Sequence, residues 1–114
     1  MHRNAALPPL ATKAPCQYGR GFSVEEFDFS RVTFSPPFEM SVFRVEPHCS
    51  SVPESHEDTE LWLVAAGTGQ LICGDATSEI QPGLAIALPA QTVHQVVNTG
   101  AVTMEIFSIW WIQA

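Results

Sequence analysis

Residues 53–67 read Pro53-Glu54-Ser55-His56-Glu57-Asp58-Thr59-Glu60-Leu61-Trp62-Leu63-Val64-Ala65-Ala66-Gly67, an acidic, histidine-bearing half running straight into an apolar one. In an extended chain, side chains two positions apart share a face. Glu54 and His56 therefore project together, and Glu60 shares a face with Trp62 and Val64, which is expected to point inward. A carboxylate at the head of an inward apolar row is costly to bury unless it is paired or holds a cation. A second polar stretch, Val93-His94-Gln95-Val96-Val97-Asn98, sets His94, Val96 and Asn98 on one face. Imidazole and carboxylate together suit zinc, iron, manganese or nickel.

Outward from these two stretches, prolines and glycines recur at short intervals: Pro36-Pro37, Pro47, Pro53, Gly67, Gly69, Gly74, Pro82-Gly83, Pro89 and Gly100. Short runs rich in β-branched and aromatic residues lie between them, the pattern of an all-β sandwich or barrel. Strands are expected over 25–29, 38–45, 61–65, 70–73, 84–88, 93–97 and 102–112. In the second of these, Phe38, Met40 and Val42 alternate with Glu39, Ser41 and Phe43. Ser23 followed by Glu26 has the spacing to start one helical turn, and no other segment reads as helical. Asn98, just before Thr99-Gly100, reads as the residue that caps a turn.

With 114 residues there is room for one hydrophobic core and not two. No apolar run approaches the roughly 20 residues of a membrane span. Pro8-Pro9 interrupts the early apolar stretch, so residues 1–20 are expected to be a flexible arm rather than a signal peptide, with residues 21–114 as one domain. Twelve acidic residues against five basic ones give a net charge of −7. That balance disfavours nucleic-acid backbones and anionic membranes and favours divalent cations or a cationic partner. Cys16, Cys49 and Cys73 are odd in number and irregular in spacing, which supports neither a disulfide framework nor a paired-cysteine zinc site. A reducing, cytoplasmic setting is the expectation.

The two polar stretches resemble the two motifs of the cupins. The first cupin motif is His-x-His-x-x-x-Glu followed by Gly seven residues later; here His56, Glu60 and Gly67 fall in register. The second is Pro-x-Gly-x-x-His-x-x-x-Asn, matched by Pro89, His94 and Asn98, with Pro82-Gly83 where the family places a turn. Three positions depart from the pattern. Glu54 stands where the first histidine is expected, His48 where a glycine precedes it, and Gln91 where the second motif has its glycine. The resemblance implies a cupin barrel, also called a double-stranded β-helix or jelly roll, of about eight or more strands. It also implies one divalent ion (zinc, iron or manganese) held by Glu54, His56, Glu60 and His94.

Two carboxylates would neutralise such an ion and make it a weaker Lewis acid than a three-histidine site, which favours orienting a substrate for oxidation or rearrangement over hydrolysis. Glu54 and Glu60 are the candidate catalytic carboxylates; for Glu54 the alternative is a solvent-facing loop residue beside Pro53. Met40, Val42 and Trp62 are the expected pocket residues. Members of the family include oxygenases, isomerases, decarboxylases and non-catalytic binders, so the fold does not choose the reaction. A metalloenzyme acting on a small polar, amine- or amino-acid-like metabolite is expected, in keeping with small-molecule or natural-product metabolism. Glu60-Leu61-Trp62-Leu63-Val64 and Ser108-Ile109-Trp110-Trp111 are also similar to small zinc cupins that work beside a larger synthetase-like enzyme and rearrange hydroxylamine esters, forming N–N bonds. A non-catalytic metal- or ligand-binding cupin, and one with a vestigial site, complete the alternatives. The Trp-rich end and the aromatic stretch 22–29 leave apolar surface that predicts a homodimer.

Overall fold

The computed structural model describes residues 9–112, which form strands and connecting turns with no helix among them. Nine strands follow in chain order among the described residues: β1 (Cys16–Gly19), β2 (Phe22–Glu26), β3 (Glu39–Val45), β4 (Thr59–Ala66), β5 (Gly69–Cys73), β6 (Ala76–Ile80), β7 (Ala85–Leu88), β8 (His94–Asn98) and β9 (Met104–Trp111). They pair antiparallel in two sheets, ordered β1-β2-β3-β9-β4-β7 and β6-β5-β8. One apolar core joins the sheets: Phe43, Val45, Trp62, Val64, Met104 and Ile106 from the larger meet Leu71, Ile80 and Val96 from the smaller. This is the all-β jelly-roll barrel expected from the sequence.

The alternation read in residues 60–64 holds side chain by side chain. Glu60, Trp62 and Val64 are buried while Leu61, Leu63 and Ala65 face out. Between β4 and β5 the chain leaves one sheet for the other at Gly67, whose φ is +81°. A Cβ there would lie 2.8 Å from the Met104 Cα, so the corner closes against β9 only without a side chain. After β8, Asn98 caps its turn as expected: its Oδ1 accepts from the Gly100 N–H at 2.8 Å, and its Nδ2 donates to the carbonyls of Val45 and Val102 at 2.8 and 2.9 Å.

Most differences lie near the N-terminus. Ser23 and Glu26, spaced for a helical turn, are instead inside β2, whose polar backbone is satisfied by β1 on one side and β3 on the other. Part of the expected arm is strand: Cys16–Gly19 forms β1, and Thr12 bridges to Phe27. The Thr12 hydroxyl, donating at 2.6 Å, and then the Arg44 guanidinium at 2.8 Å hold the Glu25 carboxyl below the usual carboxylate range. Residues 1–8 of that arm, with His2, lie outside the described residues. Strand β6 (ATSEI) was not expected, because all but its last residue face solvent and carry no apolar alternation. Cys16, Cys49 and Cys73 are free thiols. No helix of the described residues is long and apolar enough to cross a membrane.

Candidate metal centre

Three chain segments converge at one end of the barrel. The first carries Glu54 and His56 on the approach to β4. It is sewn to β8 by a two-way backbone bridge, Glu54 N–H to His94 O at 3.1 Å and His94 N–H to Glu54 O at 2.9 Å. The Gln91 N–H, donating to the His56 carbonyl at 2.6 Å, ties the same segment to the turn before β8. The second segment is β4, where Glu60 is buried at 8% exposure. The third is β8, whose first residue, His94, is 5% exposed.

The donor atoms of Glu54, His56 and His94 lie within 4.8 Å of one another, with Glu54 the exposed member. Glu60 joins them through one oxygen: its Oε1 is 3.1 Å from His56 Nε2 and 3.5 Å from His94 Nε2. His94 Nδ1 faces the Thr92 carbonyl at 3.2 Å, and a carbonyl only accepts, so that nitrogen carries a proton. In the neutral ring Nε2 is then a bare lone pair. Glu60 Oε1 is itself buried with no hydrogen-bond partner among the described residues, as is His56 Nδ1, whose nearest carboxylate is Asp58 at 3.8 Å. A carboxylate oxygen and two imidazole nitrogens thus meet at one buried spot, an arrangement that a proton or a cation can bridge. Nitrogen and oxygen donors of this kind fit a divalent transition metal, and two carboxylates match its charge. Of the four sequence-expected ligands, Glu54, His56 and His94 thus form one metal-sized group, and Glu60 lies against its two imidazoles.

Beside this cluster opens a cavity of about 330 Å³. Its charged lining is entirely acidic (Glu26, Glu54, Asp58 and Glu60), with no Lys or Arg among the described residues that line it. Aromatic walls come from Tyr18, Phe22, Phe43, Trp62 and Trp110. Trp62 stands edge-on to His94, ring centroids 5.4 Å apart, and to Phe43 at 5.0 Å. Contact with Cys16 raises the Tyr18 phenol above its ordinary pKa.

Trp62 lines the cavity as expected; Met40 and Val42 do not. Ser41 and Phe43 are the β3 residues that reach it. Val42 is nevertheless only 3% exposed, because its face of β3 is covered: it pairs with Phe107, on which Phe27 stacks at 6.0 Å. Ser108 was missed. A hydroxyl in the inward row of Met104, Ile106 and Trp110 was the available signal.

Residues 41–110 match the family model described as a cupin domain. A Cupin 2 conserved barrel domain protein from Salinispora arenicola superimposes with a TM-score of 0.76 at 26% identity, over 96% of this chain and 90% of its own. A predicted oxalate decarboxylase from Thermotoga maritima superimposes with a TM-score of 0.71 over 91% of this chain and 94% of its own; at 15% identity the likeness is one of fold. Alginate biosynthesis protein AlgA from Pseudomonas aeruginosa is 27% identical over 82 residues, 71% of this chain. The matched segment spans only 17% of the length of that relative and of the AlgA proteins from Pseudomonas syringae and Pseudomonas fluorescens.

Proposed function

This chain belongs to the cupin domain family, and from that premise we propose that it is a metal-dependent cupin enzyme acting on a small polar, amine- or amino-acid-like metabolite. The observation that carries the proposal is Glu60 Oε1, without a hydrogen-bond partner among the described residues and aimed at two imidazole nitrogens on the wall of an acidic, aromatic-lined cavity. A bound divalent ion would supply Lewis acidity or dioxygen activation at that spot. The chain's own residues do the rest. Glu54, His56, Glu60 and His94 hold the ion. Glu26 and Asp58 add carboxylates that attract an ammonium group, and the aromatic walls offer it ring faces. Glu54, exposed and in a loop, is the carboxylate placed to take a proton from the substrate. The three free thiols suit a reducing, cytoplasmic setting.

Protein purified without added metal is expected to carry about one divalent ion per chain by elemental analysis. Iron with substrate-dependent oxygen uptake marks oxidation; tightly held zinc marks redox-neutral rearrangement, the reading suggested by the resemblance to N–N bond-forming cupins. Glu54→His should keep or tighten metal binding while slowing turnover. A chain that takes up no ion overturns the proposal, and a variant as fast as the parent removes the role of Glu54 as base.

The same proposal includes a homodimer. On the outer face of β4, Leu61 and Leu63 are 38% and 44% exposed and pair with Ala87 and Ala85 of β7, an edge strand. An apolar sheet face beside an open edge suits a second copy of the chain. A larger enzyme partner, implied by the narrower resemblance, would compete for that face. Sedimentation at micromolar concentration should give a dimer that Leu63→Glu weakens; a monomeric parent refutes this part.

A further inference from the structure

The Glu60 carboxylate is held asymmetrically. Its Oε2 accepts two hydrogen bonds, from Trp62 Nε1 at 2.7 Å and from Ser108 Oγ at 2.5 Å, while its Oε1 accepts none from the described residues. The strand register produces this. Trp62 follows Glu60 on the inward face of β4, and Ser108 lies directly across from Trp62 on β9. A slip of one residue in that pairing would turn Ser108 away from the face that Glu60 and Trp62 share. Indole N–H donates only, and a serine hydroxyl facing a carboxylate oxygen donates to it, so both contacts occupy Oε2 as an acceptor. Trp62 does a second thing at once, because its ring also packs edge-on against the His94 imidazole.

We propose that Trp62 and Ser108 are positioning residues for the metal centre: by occupying Oε2 they fix the carboxylate plane and present Oε1 alone, so that Glu60 binds through one oxygen. This rests on the metal-centre reading above. With Oε2 engaged, the carboxylate cannot swing to offer both oxygens, which keeps space beside it for substrate on the cavity side. Loss of either donor frees the group to rotate, and loss of Trp62 also releases the side of His94. Partners of this kind around a ligand affect metal affinity by roughly 10–100-fold.

The experiment compares parent, Ser108→Ala, Ser108→Thr and Trp62→Phe as full chains. Zinc affinity is measured by chelator competition, and the ligand-field absorption is recorded after loading with cobalt(II). Ser108→Ala and Trp62→Phe are expected to bind zinc roughly 10–100-fold more weakly with an altered cobalt spectrum. Ser108→Thr, which keeps the hydroxyl, should restore both. A purely structural role would lower the melting temperature and leave affinity and spectrum alone. Trp62→Phe risks the fold, so the deciding variant is Ser108→Ala, which removes one oxygen. Parent-like zinc affinity and cobalt spectrum in Ser108→Ala overturn the positioning role by itself. A parent that takes up neither ion overturns this role and the metal-centre reading together.

Discussion

His94→Ala should abolish stable metal binding, weakening it by more than the roughly 100-fold upper range seen for partners that only orient a ligand. His94 is 5% exposed, its Nδ1 is anchored on the Thr92 carbonyl, and its Nε2 points at Glu60 Oε1. After truncation His56 is the only imidazole left in the cluster, and it faces two carboxylates. The fold should survive, because the hydrogen bonds joining residues 54 and 94 are made by backbone and not by the ring. Glu54→Ala should cost much less, since Glu54 is exposed and water can take its place. Elemental analysis and a β-type circular dichroism spectrum together check the expectation. Full metal content in a folded His94→Ala protein would sink the assignment of β8 to the site.

The largest effect on stability is expected from Asn98→Ala, at about 3 kcal/mol or more. Asn98 is 1% exposed and spans the barrel with three hydrogen bonds, two given to carbonyls of Val45 and Val102 and one accepted from Gly100. Each such bond contributes roughly 1 kcal/mol, and each buried group left without a partner costs about 1–3 kcal/mol. A lowered urea midpoint with an unchanged slope is the expected signature. A change below about 0.5 kcal/mol would mean that water or the relaxed turn replaces the amide, and that Asn98 is not what pins β8 to the β3 end.

How far the fold was legible in the chain followed the strength of the alternation. Residues 60–64 and 94–98 alternate cleanly with one face buried, so both the strands and the convergence of Glu60 with His94 were legible. Around β3 alternation failed as a guide. Both faces are covered, with Val42 at 3% and Phe43 at 6% exposure, and period alone does not say which face meets the cavity. The contributions of Tyr18, Phe22 and Glu26 were hidden because β1 and β2 lie in or beside a stretch that reads as an arm. The departures at His48 and Gln91 are informative in another way. Their φ values are +63° and +58°, so the backbone keeps the left-handed conformation that the family pattern fills with glycine. The side chains changed while the turn geometry stayed, at a cost of roughly 1 kcal/mol per residue.

The two-way backbone bridge between Glu54 and His94 bears on how an ion would be held. The two residues stand roughly 40 positions apart, and closing a flexible loop of that length costs on the order of 3 kcal/mol in chain entropy. Where a metal must close such a loop itself, as in small zinc modules, folding and binding become one event. Here the strands close the loop first, through main-chain hydrogen bonds that no ligand atom takes part in. An ion at Glu54, His56 and His94 therefore enters a ring already shut, so its interaction energy goes to affinity and to its choice among metals rather than to assembling the barrel.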